Sequence, residues 1–247
     1  MSIIRPTRAI FRRQLKFLNG YADLREDRAS EILAQLSPPL AFWSSVANLH
    51  PSRTRWTIEL LGAALRLAMF VEMRFKHALA CRRPLEYSPQ VQPMILTPGH
   101  GTLPSGHATE AHIVAYVLWR LLRRAEPTKN RRWCDQLMRQ AARIAINRTV
   151  AGVHFPVDSA AGQLLGLTLG DYFVRRCGNN GSPANYRAWR FDGPRFNGNL
   201  DFDWRLLYNT TTDLRLSAPF TDILPMQTAQ VSALLTWLWR KAVAEWP

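Results

Sequence analysis

Arg148-Thr149-Val150-Ala151-Gly152-Val153-His154-Phe155-Pro156-Val157-Asp158 joins two stretches of helical periodicity, and its reading decides the fold. Gly152 breaks a helix running from about Asn130 to Val150, and Pro156 suits the first turn of another reaching Val174. Upstream, a helix is predicted from about Ser105 to Ala125, ending before Pro127. Before it, Arg53–Leu79 places Ile58, Leu61, Leu65, Met69 and Met73 at three- and four-residue intervals, the mark of a long helix. Between these two helices, Arg82 to Pro104 holds Pro84, Pro89, Pro93 and Pro98 and reads as a loop. The flanks are less regular. Residues 1–24 read as a basic lead-in, a solvated arm or partial helix, and Glu26–Leu36 as a helix stopped by Ser37-Pro38-Pro39. Residues 178–226, rich in Gly, Asn and Pro, read as a lid, a packing arm or a partly disordered stretch. About Gln227–Trp246 forms an amphipathic helix expected to pack on its own chain or on a second subunit, which leaves a homo-oligomer open. Strand signals are nearly absent. The expected architecture is all-α: an N-terminal basic arm and helix (1–52), a helical core (53–175), and an irregular segment with a C-terminal helix (176–247).

The chain has 247 residues, of which 47% are apolar and 20% charged, so it is neither disordered nor fibrous. A net charge of +14 favours anionic partners without choosing among phosphate esters, nucleic acid and acidic lipid. Nucleic acid is not expected, because the cations are spread along the chain with no zinc-finger, RRM-like or basic-zipper pattern. Cys81, Cys134 and Cys177 are too few and too scattered for a disulfide framework or a zinc site. The most apolar runs, Ile58–Val71 and Ile113–Leu122, are interrupted or flanked by charges and fall short of a membrane span. Arg5, Arg8, Arg12, Arg13 and Lys16 lead into Tyr21–Glu26 with no apolar leader, so a soluble, cytoplasmic chain is expected.

Five of the six histidines lie between His77 and His154, and three pieces of this region carry chemistry. Lys76 and Arg83 are two helical turns apart, ahead of Pro84. Two cations beside a loop suit an oxyanion, yet cations at a helix end also simply complement the helix dipole. Pro104-Ser105-Gly106-His107 sits at a loop-to-helix junction: Ser105 can cap, Gly106 lets backbone N–H groups approach an anion, and His107 would stand at the rim as acid or base. The same residues also read as a plain N-cap followed by an indifferent histidine. In the quoted stretch, Asp158 lies four residues after His154 and can take the proton on one ring nitrogen, or merely serve the helix N-terminus.

Taken in order, Lys76-x6-Arg83-Pro84, Pro104-Ser105-Gly106-His107 and Arg148-x5-His154-x3-Asp158 resemble the signature of the type 2 phosphatidic acid phosphatase and vanadium haloperoxidase superfamily. The resemblance implies a helical bundle around an oxyanion, held by Lys76, Arg83 and Arg148 with Ser105 and the Gly106 N–H. It further implies His107 as acid/base, His154 as nucleophile or as the ligand of vanadium in a vanadate cofactor, and Asp158 orienting His154. One departure is visible: the third motif usually begins Ser-Arg, and here it is Asn147-Arg148. Two reactions fit such a pocket. In one, vanadate stays on His154 and halide is oxidised by hydrogen peroxide. In the other, a phosphomonoester is hydrolysed without a cofactor. His100, seven residues before His107, resembles a histidine of bromide-preferring haloperoxidases and tilts the expectation towards a bromide-oxidising enzyme, with the phosphatase as alternative.

Overall fold

The computed structural model describes residues 1–37, 40–125, 130–178, 184–209 and 214–246. The breakers read at Pro38, Pro39 and Pro127, and the Asn179–Pro183 part of the irregular stretch, lie outside these residues. In chain order the elements are β1 (Ser2–Ile4), α1 (Arg8–Ala22), α2 (Arg25–Ala34), α3 (Leu40–Ala47), α4 (Arg55–Leu79), α5 (Gly106–Ala125), α6 (Asn130–Val150) and α7 (Pro156–Arg176). They continue with β2 (Asn185–Asp192), β3 (Tyr208–Asn209), β4 (Leu214–Arg215), β5 (Thr221–Thr228) and α8 (Ala233–Val243).

Helix α5 is the centre of the bundle, flanked by α4, α6 and α7. Leu118, Trp119, Leu137, Met138, Leu165 and Phe173 build the core between them. Helix α7 has no polar face: every residue from Pro156 to Asp171 is buried. It lies hard against α5 because Gly162, Gly166 and Gly170 recur every fourth residue. A Cβ on Gly162 would sit 2.7 Å from the Ser105 carbonyl oxygen and 2.8 Å from the Ala108 Cβ. This contact holds the start of α7 against the start of α5, which is where the site forms.

The all-α expectation needs correction, for the fold is mostly helical with a small three-stranded sheet of order β1-β2-β5. β1 runs parallel to β2 (Ile3 opposite Phe191), and β5 is antiparallel to it (Trp189 opposite Ile223). A register break between Arg187 and Trp189 disturbs the two-residue alternation of β2, and β5 carries Pro225, which an edge strand tolerates. Part of the stretch read as irregular is therefore this sheet, whose Trp189 and Phe191 belong to the same buried core cluster as Phe155 and Val157. The expected C-terminal helix starts late, at Ala233, since Gln227 and Thr228 complete β5.

The basic lead-in is a packed helix. Ile10, Phe11, Gln14 and Leu18 form the buried face of α1. The Phe11 and Phe155 rings meet at a tilt with centroids 5.1 Å apart, and the Gln14 side-chain oxygen accepts from the Val157 N–H at 2.8 Å, satisfying one donor of the first turn of α7. At the other end of the chain, α8 packs on α4, burying Leu238, Trp239 and Ala242. The Glu245 carboxylate accepts from the N–H groups of Trp56 and Thr57 and from the Thr57 hydroxyl, each at 2.8 Å, and so caps α4. No helix among the described residues is long and apolar enough to cross a membrane.

Candidate active site

Helix α4 delivers Lys76 to the bundle interior, where it is 1% exposed, and then stops. Ala80 turns left-handed (φ 44°), its N–H bonding the Lys76 carbonyl, and the chain leaves in an extended path. Arg83 is consequently not one helical face along from Lys76, as its spacing suggested. Its extended backbone places it beyond the turn, where its N–H donates to Glu86 Oε2 at 2.6 Å and the Thr102 N–H donates to the Cys81 carbonyl. The two cations converge by this fold-back. Lys76 Nζ donates to the carbonyls of Gly101 and Thr102 at 3.3 and 3.4 Å. Arg83 donates through Nε to the His100 carbonyl (3.1 Å) and through Nη1 to the Val153 carbonyl (2.9 Å).

Arg83 Nη1 also lies 3.1 Å from His154 Nε2. A guanidinium only donates, so His154 Nε2 must be the lone-pair nitrogen and the ring proton must sit on Nδ1. Nδ1 is 3.1 Å from Asp158 Oδ2, which also accepts from the Phe155 N–H at 2.9 Å and from the Thr102 hydroxyl at 2.5 Å. Burial, with Arg83 and Lys76 nearby, holds His154 well below its usual pKa, leaving a neutral ring. Burial lifts Asp158 to about 6, against the pull of Thr102, Phe155 and the two cations. The result is an oriented imidazole whose unprotonated nitrogen, Nε2, faces the Arg83 guanidinium. Thr102 has no counterpart in the sequence reading; a lone threonine in a Pro/Gly loop gives no signal.

Ser105 is fully buried, its N–H donating to the Asp158 carbonyl and its Oγ accepting from Ala108 at the start of α5. Gly106 opens the helix against Glu72: a Cβ there would lie 2.5 Å from Glu72 Oε1, so a side chain fits only if that carboxyl moves. Arg148, 1% exposed at the end of α6, donates through Nη2 to Gln35 Oε1 at 2.7 Å, while its Nε and Nη1 are buried with no partner. Unpaired buried guanidinium donors are costly unless a ligand completes them. His107 Nε2 lies 2.9 Å from the Gln35 carbonyl, and burial together with Arg148 lowers its pKa to about 4.

Gln35, at the end of α2, thus touches both Arg148 and His107. It is held by the residue that departs from the family pattern. Asn147 donates to Gln35 Oε1 (3.1 Å) and Glu31 Oε1 (3.0 Å) and accepts from Arg28 (2.9 Å), while Arg143 pairs with Glu31 at 2.6 Å. An asparagine here docks α2 across the site. His100 reaches the rim, its Nδ1 3.2 Å from Arg83 Nη2. The other clustered histidines stay away from the site: His77 is exposed on α4, and His112 is buried deeper in α5, its Nδ1 on the Ala108 carbonyl.

Two cavities flank these residues. One, of about 470 Å³, opens by Arg83 and His100. The other, of about 210 Å³, lies beside His107 and Glu110 and is walled mainly by Leu36, Trp43, Leu65, Met69 and Val114.

Comparison with known proteins gives two findings. A family model described as the PAP2 superfamily matches residues 58–181. A solved structure described as the first transmembrane PAP2 type phosphatidylglycerolphosphate phosphatase, from Bacillus subtilis, superposes with a TM-score of 0.56 at 18% identity, over 71% of this chain and 89% of that one. No curated protein sequence matches the chain.

Proposed function

The chain belongs to the PAP2 superfamily, and from that premise we propose that it hydrolyses phosphomonoesters through a phosphohistidine on His154. The observation that carries this reading is the set of partners around His154: Arg83 faces Nε2 while Asp158 and Thr102 face Nδ1, so the unprotonated Nε2 is turned towards the cations. His154 Nε2 attacks phosphorus and forms the N–P bond as the ester P–O bond breaks. The leaving oxygen takes its proton from His107. Water, deprotonated by His107, then attacks phosphorus, breaks the N–P bond and releases phosphate. Lys76, Arg83 and the unpaired donors of Arg148 hold the equatorial oxygens, together with Ser105 and the Gly106 N–H. Burial and, after it, Arg148, Lys76 and Arg83 hold His107 neutral; a bound dianion would offset the three cations and raise its pKa towards that of a working acid.

The apolar cavity beside His107 lies where the leaving alcohol would be protonated, and it supports an ester of an alcohol with apolar character. The phosphatidylglycerolphosphate phosphatase named above has this fold, and its name denotes a lipid phosphate ester of that kind as its substrate.

Vanadate, a phosphate mimic, fits the same donors. Lys76, Arg83, Arg148, Ser105 and Gly106 would hold it against His154, and it would supply peroxide activation to a haloperoxidase. His100, on which the bromide expectation rested, is engaged with Arg83 and has a role in fixing that cation without any halide. The phosphatase reading is therefore preferred, with vanadate acting as an inhibitor. The test is hydrolysis of p-nitrophenyl phosphate and of a long-chain alkyl phosphate by wild type and His154→Ala. Turnover in wild type, lost in the variant, supports it; bromination with peroxide and vanadate but no ester hydrolysis overturns it.

A further inference from the structure

We propose that Glu72 is a further ligand of the phosphoryl group: in its protonated form its carboxyl donates a hydrogen bond to a phosphoryl oxygen beside Lys76 and Gly106, and its ionisation weakens the binding of the dianion. This role rests on the phosphoryl-transfer reading above, and it concerns a residue outside the three motifs.

Glu72 stands one turn before Lys76 on α4 and is 5% exposed. Its carboxyl lies against the first residue of α5. From the point where a Gly106 Cβ would stand, Oε1 is 2.5 Å away and Oε2 3.4 Å. That helix start is where the anion is to be received, so the carboxyl sits at the edge of the anion's seat. Oε2 is buried without a hydrogen-bond partner, while Lys76, one turn on, donates to the carbonyls of Gly101 and Thr102. A buried carboxylate without a donor is disfavoured, whereas a carboxylic acid facing a phosphate supplies the missing proton and gains an acceptor.

The charged groups that act on this carboxyl are Glu110 on α5 and Lys76 on its own helix. Burial and Glu110 push Glu72 up to about 8, and Lys76 pulls it down. A raised pKa means that the protonated form prevails below that value and a negative charge appears above it, next to the bound anion. Phosphate affinity should therefore fall as pH rises, by about tenfold or more, as expected for like charges at hydrogen-bond distance in a poorly solvated site.

The experiment is calorimetric titration of inorganic phosphate, from about pH 6 to about pH 9, on wild type, Glu72→Gln and Glu110→Gln. The second ionisation of phosphate itself is common to all three proteins and cancels in the comparison. Glu72→Gln mimics the protonated acid. It should bind phosphate at low pH as wild type does and lose less affinity at high pH than wild type, which loses about tenfold; the loss that remains belongs to Lys76, whose pKa burial lowers to about 8. Glu110→Gln removes the charge that raises Glu72 and should move the wild-type loss to lower pH, a check that leaves Glu72 in place. If Glu72→Gln follows the wild-type pH profile, or binds weakly at every pH, the role is refuted while the phosphatase reading survives on its ester turnover. If wild type binds no phosphate at any pH, the role is refuted, and the phosphatase reading falls with it only if ester turnover is absent as well.

Discussion

Adding one methyl group at Gly162 tests the link between helix packing and the site. The new Cβ would lie 2.7 Å from the Ser105 carbonyl oxygen, 2.8 Å from the Ala108 Cβ and 3.2 Å from the Thr109 backbone nitrogen. None of these is the far end of a flexible side chain. The Ser105 carbonyl is fixed by both the N–H and the hydroxyl of Thr109. Helix α7 must back away from α5 by roughly half an ångström or more to restore ordinary contact, at about 1–3 kcal/mol of overpacking. For a chain of this size that is a fall in Tm of about 2–4 °C per kcal/mol, or several degrees in all. Asp158 lies one turn before Gly162, and its carbonyl holds the Ser105 N–H at 3.0 Å, so the displacement reaches His154 through the carboxylate that orients it. Misplacing a reacting group by about 1 Å costs about a hundredfold, so kcat should fall roughly tenfold to a hundredfold in Gly162→Ala, with KM changed far less. Thermal melting and steady-state kinetics on a chromogenic phosphate ester provide the assay. An unchanged Tm together with an unchanged kcat would refute the reasoning.

Four further outcomes are expected. Glu245→Ala removes three hydrogen bonds from the start of α4 and should lower stability by about 2 kcal/mol, seen as a lower denaturation midpoint with the site's activity kept at moderate temperature. Gln35→Ala takes the side-chain oxygen from Arg148 and Asn147 but keeps the backbone carbonyl that faces His107, so KM should rise more than kcat falls, with a lower Tm from the buried donors left unpaired; unaltered kinetics would show that α2 merely covers the site. His107→Ala should leave vanadate inhibition largely intact and slow turnover by about 10²–10⁴-fold, and a loss of vanadate binding equal to that in His154→Ala would contradict the assigned roles. Activity should decline as pH falls through about 6, because Asp158 is protonated below that value and no longer accepts the His154 Nδ1 proton; a kcat profile flat well below it would count against this.

The four core helices were legible because their sequence carries both period and punctuation. The ends read at Val150 and Pro156 are those observed, marked by Gly152 and by a first-turn proline, and the long helix ends at Leu79 as its periodicity indicated. The motif residues were legible as types in order, but their geometry was not. Seven residues between Lys76 and Arg83 suggested one helical face, and a left-handed turn at Ala80, which no glycine announced, placed them on different segments. Charge masked α1: five cations drew the eye, although Ile10, Phe11, Gln14 and Leu18 already carried a helical spacing. The sheet was hidden by the irregular pairing near Arg187, by Pro225 in an edge strand, and by flanks of Gly, Asn and Pro. Glu72, Gln35 and Thr102 were invisible because they belong to no motif. They matter only through the neighbours that folding gives them.

The most direct measurement of the central claim is capture of the covalent intermediate. Wild type mixed with a radiolabelled phosphate ester and quenched in base, where phosphohistidine survives, should carry label on the peptide containing His154, attached through Nε2. The label should appear in a burst before steady state and be absent from His154→Ala. Label on another residue, or ester turnover that persists in His154→Ala, would contradict the account.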